Sequence, residues 1–410
     1  MNTKTNQRGS SPRKYYGSSS ARRSSNGGGN RRRGGRGGRG KMPTFNPSQF
    51  INKNPVDIKE EIYTPKNTFE TFGLNEQVVE TVHSLGITIP SPIQDQIIPE
   101  IMNGRDVVGL AETGTGKTAA FLLPLIHQAI IDGNRKALIL APTRELAIQI
   151  VEELRKLSRG HKIFSTSCVG GMHIGPQIRS LHRENHFIIG TPGRVMDLID
   201  RAHIKPSEFT TVVLDEADRM LDMGFIGDMK KIISEIPESR ETLFFSATMN
   251  AATKDLVKDF LKDPVEISVK KKDVTNSIEQ DVIVHGRDDK FELLSAELAK
   301  PEYRKVIIFG STKKGVEQLA SSLNSKGIKT EALHGDKSHG QRQMALRSFK
   351  LHKAQVLVAT DVAARGIHVD NVSHVINYDL PNTLEDYIHR IGRTGRAAKK
   401  GKAMTFVPKI

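Results

Sequence analysis

The stretch AETGTGKT, Ala111 to Thr118, sets two glycines among hydroxyl side chains and closes on a lysine and a threonine. Between a strand and a helix, that pattern is a phosphate cradle, here with Ala111 where a first glycine is common. Gly114 and Gly116 let backbone N–H groups crowd around phosphate oxygens, and the next helix adds its positive end. Lys117 is then expected to reach the β- and γ-phosphates and the Thr118 hydroxyl to ligate Mg²⁺. Thr113, Gly114, Thr115, Gly116, Lys117 and Thr118 together form the expected nucleotide loop.

A second stretch, TVVLDEADRM (Thr211 to Met220), runs an apolar segment into three carboxylates. Alone, it reads equally as a buried strand meeting an acidic helix start, which suits the helix dipole, or as a metal site. The phosphate loop favours the metal site. Asp215 ends the apolar run 98 residues after Lys117 and is expected to hold Mg²⁺ directly or through water. Glu216 is placed to orient or deprotonate an attacking water. Asp218, a turn further on, is expected to make a structural or interdomain contact. The reaction these residues suit is ATP hydrolysis.

Such groups need a scaffold that delivers them to one place. From Thr68 onward short apolar runs alternate with helical patterns. Strands are expected at 106–110, 137–140, 187–189, 211–214 and 242–245. The polar VKKKDVTNS (Val269 to Ser277) reads as a linker. The alternation then resumes at 282–284, 305–309, 329–333, 355–359 and 374–377, with AMTFVP near the C-terminus. Near-continuous apolar strands separated by helices imply parallel sheets covered on both faces. ALILAPT is echoed by VIIFGST, and FIIGTPGR by VLVATDVAARG. The expectation is two doubly wound α/β domains, 68–268 and 278–410, with ligands at the carboxyl ends of the strands.

Composition narrows the class. No apolar run is long enough for a membrane span, and the N-terminus lacks the hydrophobic stretch of a secretory signal. Cys168 is the only cysteine, which fits a reducing compartment. It is read as a small packed residue rather than a reactive thiol. Cytoplasm is therefore expected, or the nucleus in a eukaryote. The net charge is +15, yet residues 1–42 carry twelve Lys or Arg and no acid, so most of the basicity belongs to a tail. Residues 1–67 read as a disordered Arg/Gly-rich tail and its lead-in, because almost no aliphatic side chain is available to offset ordering entropy. Arginines spaced by glycines, with Tyr15 and Tyr16 nearby, suit single-stranded nucleic acid through charge and stacking. A solubilising tail, a partner-binding arm and an organellar transit peptide are the rivals, the last disfavoured because the tail has no apolar face.

With AETGTGKT, DEAD and SAT (Ser246 to Thr248) in this order, the chain resembles the DEAD-box ATP-dependent RNA helicases, over about residues 68–410. The fold implied is two tandem RecA-like domains behind the tail. GITIPSPIQ resembles the family's Q motif. Gln94 would read the N6/N7 edge of adenine, favouring ATP over GTP. Phe69, 17 residues before Gly86, stands where the family places an adenine-stacking aromatic. PTREL, Gly170–Gly171 and TPGR resemble its RNA-contacting motifs, which implies RNA contacts at Pro142, Arg144, Gly171, Thr191, Gly193 and Arg194, joined by Arg342 and Thr360 from the second half. Ser246, Thr248, Asp361 and Arg365 fall where the family couples its sites. HRIGRTGR implies arginine fingers at Arg393 and Arg396 and a water-positioning role for His389. Fingers on one domain and Lys117 on the other make domain closure a condition of hydrolysis.

Three positions depart from the family pattern. Ile87 replaces the usual aromatic of the Q motif, His339 replaces a Gln, and His368 replaces an Asp that contacts the ATP ribose. None removes a group needed for phosphate chemistry. The resemblance implies a monomer that uses ATP and Mg²⁺, grips RNA by its backbone without reading bases, and takes protein partners through its core surface or tail. With the chain stopping at Ile410, no C-terminal accessory domain is expected. Two activities compete: unwinding of short duplexes or remodelling of RNA–protein complexes, and an RNA clamp or annealing protein whose ATPase times release.

Overall fold

Among the described residues of the computed structural model, seven of the thirteen strands are buried along their whole length, as strands covered on both faces must be. The structure describes residues 50–53, 63–111, 114–269, 278–286, 289–364, 369, 371–395 and 401–409. Of the expected tail and lead-in (1–67), residues 1–49 and 54–62 lie outside them, as do residues 270–277 of the expected 269–277 linker, Thr113, Arg365, His368 and Arg396. Residues 50–53 and 63–67, expected to be disordered, are instead ordered against the lobes, and Val269 ends a strand.

The first lobe contains β1 (Val107–Ala111), β2 (Ala137–Leu140), β3 (Ser165–Cys168), β4 (Phe187–Gly190), β5 (Thr211–Leu214), β6 (Glu241–Ser246) and β7 (Val265–Val269). They form one sheet in the order β3-β4-β2-β5-β6-β1-β7, parallel throughout. Its helices are α1 (Glu76–Ser84), α2 (Pro92–Met102), α3 (Lys117–Ile131), α4 (Arg144–Leu157), α5 (Ile174–Leu181), α6 (Pro192–Asp200), α7 (Ala217–Asp222), α8 (Ile226–Ser234) and α9 (Ala251–Phe260). Two apolar cores cover the sheet. One is built around Ile97, Phe121, Leu146 and Phe245, the other around Leu138, Val212, Met220 and Phe244. Adjacent residues of β6, Phe244 and Phe245, thus enter opposite cores, as the twofold period of a strand requires.

The second lobe has β8 (Ile278–His285), β9 (Val306–Phe309), β10 (Thr330–Leu333), β11 (Val356–Ala359), β12 (His374–Asn377) and β13 (Gly401–Pro408). The sheet order is β10-β11-β9-β12-β13-β8, again all parallel. Its helices are α10 (Lys290–Leu298), α11 (Lys313–Ser325), α12 (His339–Lys350), α13 (Asp361–Ala364) and α14 (Leu384–Ile391). Both lobes fall within one compact unit, Phe45–Ile410.

Two first-lobe strands, β3 and β7, were not anticipated. Both are sheet edges. Edge strands carry polar side chains, as in STSC and VEISV, so they lack the continuous apolar run that marks a central strand. β8 is also longer than the expected 282–284 because its outer residues pair with the whole of β13. Asp106, expected to open β1, instead accepts from the Thr242 and Lys262 backbone N–H groups, both at 2.7 Å. Cys168 is fully buried at the end of β3, and burial pushes its thiol up to about 12, with Arg194 opposing.

Candidate nucleotide and nucleic-acid clefts

The order β5-β6-β1 in the first sheet determines which motifs meet. The carboxyl ends of these neighbouring strands release Asp215, Ser246 and the phosphate loop respectively. A cleft of about 290 Å³ opens there, lined by Ile87, Gln94, Gly114, Gly116, Lys117, Thr118, Asp215 and Glu216. Leu146, Gln149 and Glu153 complete it from α4. Sequence reasoning missed these three, although their i, i+3, i+7 spacing marks one helix face.

Gly116 caps α3 at φ +94°, a conformation that disfavours any side chain. A Cβ there would also meet the Gln94 Nε2 at 2.6 Å. The Gln94 amide is already engaged: Oε1 accepts from the Ser91 N–H at 2.9 Å, and Nε2 donates to the Gly116 carbonyl at 3.2 Å. One amide proton and one lone pair remain unassigned by these bonds, the number a base edge requires. Lys117 is buried and folds back to donate to the Ala111 carbonyl at 2.7 Å. Thr115 and Thr118 are half-buried beside it.

Glu216 adopts left-handed backbone, φ 54° and ψ 50°, a conformation uncommon for a non-glycine residue and found at functional sites. Its Oε2 accepts from Arg219 Nη1 at 2.6 Å, with both side chains buried. Asp215 Oδ1 and Glu216 Oε1 are buried with no hydrogen-bond partner among the described residues. Burial raises the Asp215 carboxyl to about 6, Lys117 opposing and Glu216 adding to the rise. Unsatisfied buried carboxylate oxygens are costly, and the pair suits a hard cation and a water. These donors therefore fit Mg²⁺. Asp218 turns away: its Oδ2 accepts from the Ala247 N–H (3.1 Å), the Thr248 N–H (3.0 Å) and the Thr248 hydroxyl (3.1 Å). The third acid of DEAD thus holds SAT within the same lobe, while the Ser246 hydroxyl donates to the Thr248 carbonyl at 2.7 Å.

Phe69 does not reach this cleft. Its ring is 0% exposed, edge-on to Phe72 at 5.9 Å and His83 at 6.1 Å, within the core that also holds Ile97 and Phe121. The ring is enclosed by core side chains and is not among the residues that line the cleft. The half-buried Ile87 lines the cleft instead.

The second cleft, about 420 Å³, is lined by Pro142, Thr143, Arg144, Glu145, Gly170, Thr191, Gly193, Arg194, Asp197, Met223 and Phe225, with Arg342 and Val362 from the other lobe. Arg144 lies directly over Gly171, where a Cβ would meet its guanidinium at 2.0 Å. Burial draws the Arg144 guanidinium below its ordinary pKa, Glu145 opposing, with repulsion from Arg342 and Arg194 adding to the fall. Three convergent arginines in a partly dry cleft suit phosphate. Arg194 Nη1 donates to the Met172 carbonyl at 3.2 Å. Arg342 Nη2 lies 2.9 Å from Glu145 Oε1, an ion pair joining α12 of one lobe to α4 of the other. Thr360 is buried just before α13, outside the lining residues.

In the second lobe Asp361 receives a bidentate pair from the almost wholly buried Arg390, with Nε to Oδ1 at 2.6 Å and Nη2 to Oδ2 at 2.7 Å. Arg390 Nη1 also donates to the Asp379 carbonyl at 2.6 Å. Sequence reasoning gave Arg390 of HRIGRTGR no part; a guanidinium buried this deeply serves the lobe's own packing. Arg393 is buried after α14, and His389 is half-buried upon it. His339 starts α12 with its Nδ1 unpartnered among the described residues.

Among family models, the DEAD/DEAH box helicase matches residues 91–256 and the helicase conserved C-terminal domain matches residues 289–398. The chain is 47% identical over 341 residues to the "ATP-dependent RNA helicase CshA" of Listeria monocytogenes, covering 83% of this chain and 66% of that protein. It is 44% identical over 342 residues to the "DEAD-box ATP-dependent RNA helicase CshA" of Bacillus subtilis, covering 83% and 69%. The chain thus spans about two thirds of the length of these relatives. Among solved structures, Saccharomyces cerevisiae Dbp5 bound to RNA and ADP BeF3 superposes with a TM-score of 0.74 at 31% identity, covering 84% of this chain and 90% of that one. Mss116p bound to ssRNA and AMP-PNP gives 0.75 at 30% identity, covering 83% and 74%. The two parallel-sheet lobes match the RecA-like pair of these proteins.

Proposed function

The chain belongs to the DEAD/DEAH box helicase family, and on that footing we propose that it is an RNA-stimulated ATPase that opens short RNA duplexes or remodels RNA–protein assemblies. The carrying observation is the first turn of α4, which lies in both clefts at once. Leu146 lines the nucleotide side, while Thr143, Arg144 and Glu145 line the arginine side. Glu145 also meets Arg342 of the second lobe, so nucleotide, nucleic acid and lobe arrangement would share one element.

ATP would lie along Gln94 and the phosphate loop (Thr113 to Thr118), with Lys117 exchanging the Ala111 carbonyl for a phosphate oxygen. Thr118 and Asp215 would hold Mg²⁺, which when bound screens the phosphate charge. Glu216 would use Oε1 to orient the water, its Oε2 being held by Arg219. Arg393 and Arg396 would stabilise charge from the second lobe, and His389 would help position the water. Pro142, Arg144, Gly171, Thr191, Gly193, Arg194, Arg342 and Thr360 would grip one strand by its phosphates, a contact that positions without reading bases. Asp218 would carry the nucleotide state to Ser246 and Thr248, with Asp361 and Arg365 as their counterparts across the cleft. A cytoplasmic setting fits the single cysteine, the family resemblance implies a monomer, and the basic tail would add salt-dependent RNA affinity.

The test is ATP turnover with and without single-stranded RNA, in parallel with displacement of a short duplex. Stimulation by RNA is expected, with both activities largely lost in Lys117→Ala and Glu216→Gln. Absence of RNA stimulation at every salt concentration would overturn the proposal. Removal of residues 1–42 should weaken RNA binding and flatten its salt dependence while leaving ATP affinity unchanged.

A further inference from the structure

The chain just before the first lobe is fastened in two places, one on each lobe. On the first lobe, Asp95 of α2, adjacent to Gln94, takes four donors: the Tyr63 hydroxyl, the Lys66 N–H, and the backbone and side-chain N–H of Asn67. Burial alone would raise the Asp95 carboxyl, yet these donors hold it below its ordinary value. On the second lobe, Asn52 and Gln280 exchange backbone hydrogen bonds of 2.8 and 3.0 Å, extending the otherwise unpaired edge of β8 by an antiparallel bridge. Phe50 is 1% exposed and tilts against the Tyr387 ring at 4.7 Å. Ile278, Ile391 and Ala403 complete the enclosing cluster. Lys53 adds an ion pair to Asp281 at 4.0 Å.

Tyr387 and Ile391 belong to α14, the helix that carries His389 and Arg390 and leads into Arg393. The Tyr387 hydroxyl donates to Gln280 Oε1 at 2.8 Å, so the docked segment, β8 and the finger helix form one packed corner. We propose that residues 50–53 are an intramolecular strap, docked by edge pairing and one aromatic anchor, that ties the finger helix to the lobe carrying the phosphate loop. This goes beyond the activity proposed above and does not depend on it. Edge pairing supplies register and alignment, while the aromatic supplies most of the hold.

Chain length sets what the strap does. Only residues 54–62 separate the two anchors, and ten peptide steps reach at most roughly 35 Å. While Phe50 stays docked, β8 and α2 cannot part beyond that reach. Wider opening must first expose the Phe50 ring. The strap therefore biases the ligand-free chain toward closed arrangements, in which Arg342 and Glu145 are paired.

Single-molecule energy transfer on the full chain tests this, with dyes at Lys258→Cys in the first lobe and Ser325→Cys in the second; both sites are exposed and the native Cys168 is buried. In the absence of nucleotide and RNA, a predominantly compact population is expected. Phe50→Ala should raise the ratio of open to compact molecules at least about tenfold, since a buried phenylalanine side chain is lost. Asn52→Pro should shift it in the same direction by removing one edge bond, and Phe50→Leu should restore most of the compact state. Phe50 packs on Ile278 and Ala403 of the second sheet, so a modest loss of second-lobe thermal stability is expected in Phe50→Ala, with the first lobe unchanged. A wild-type chain as open as Phe50→Ala overturns the strap, as does a Phe50→Ala chain as compact as wild type. ATP turnover on the same labelled chains reports the activity proposal separately.

Discussion

Gly171→Ala should damage RNA binding through its neighbour Arg144, and the size of the effect follows from geometry. Gly171 has φ +70°, where an alanine costs about 1–2 kcal/mol of stability. Its Cβ would sit 2.0 Å from Arg144 Nη1, 2.2 Å from Cζ and 2.3 Å from Nη2. Non-bonded contact needs about 3.5 Å, so the guanidinium must withdraw by more than an ångström. Arginine is flexible at that end, and the fold survives. A displaced guanidinium forfeits a charge-assisted hydrogen bond to phosphate, worth about 1.5–3 kcal/mol, or roughly a 10- to 150-fold weaker Kd for RNA. ATP affinity should be unchanged, because neither residue lines the nucleotide cleft. Fluorescence anisotropy with single-stranded RNA and a non-hydrolysable ATP analogue, at fixed salt, measures this. In an Arg144→Ala background the same change should add little, since the group it displaces is already gone. A folded Gly171→Ala chain that binds RNA within twofold of wild type would refute the reasoning, and so would full additivity of the two substitutions.

Two further outcomes concern stability. Arg390→Ala leaves Asp361 without its bidentate partner in the second lobe and should cost about 3–5 kcal/mol, read as a lower denaturant midpoint. Arg390→Lys should rescue little, because an ammonium cannot reproduce the planar fork, and a near-wild-type lysine variant would contradict this. Burial raises the Glu241 carboxyl to about 8, Arg135 opposing and Asp106 adding to the rise, from an ordinary 4.5. The folded state then holds a proton that the unfolded chain releases, so this contribution is complete below about 4.5 and is lost as pH rises through about 8. Denaturant midpoints between pH 5 and 9 should fall less steeply in Glu241→Gln than in wild type; parallel declines would rule the site out.

The residues that line the first cleft were legible in sequence where their chemistry depends on spacing along the chain. AETGTGKT and DEAD each carry their own turn and helix start, so Lys117, Thr118, Asp215 and Glu216 could be named before any fold was known. Central strands were legible for a similar reason: burial on both faces leaves an unbroken apolar run, as in VVGLA or VIIF. Edge strands β3 and β7 were not, because half their surface faces water and their composition resembles a loop. Phe69 shows the opposite limit. Resemblance to the family's Q motif placed it at adenine, yet whether a ring faces a cleft or a core depends on what surrounds it, and Phe72, His83 and the residues of α1 enclose it.

The sequence by itself determined two α/β lobes, a phosphate loop, an acidic strand end and a basic tail, since each follows from local pattern and composition. Only the tertiary structure decided that Asp218 serves SAT within one lobe, that Arg390 is spent on Asp361, and that Arg342 meets Glu145 across the cleft. It alone showed Phe50 docked against Tyr387 of α14, more than 300 residues away in the chain. The physical reason is the same in each case. A side chain's type states what it can bond to, but partners distant in sequence are chosen by sheet order and burial, which the local pattern does not contain.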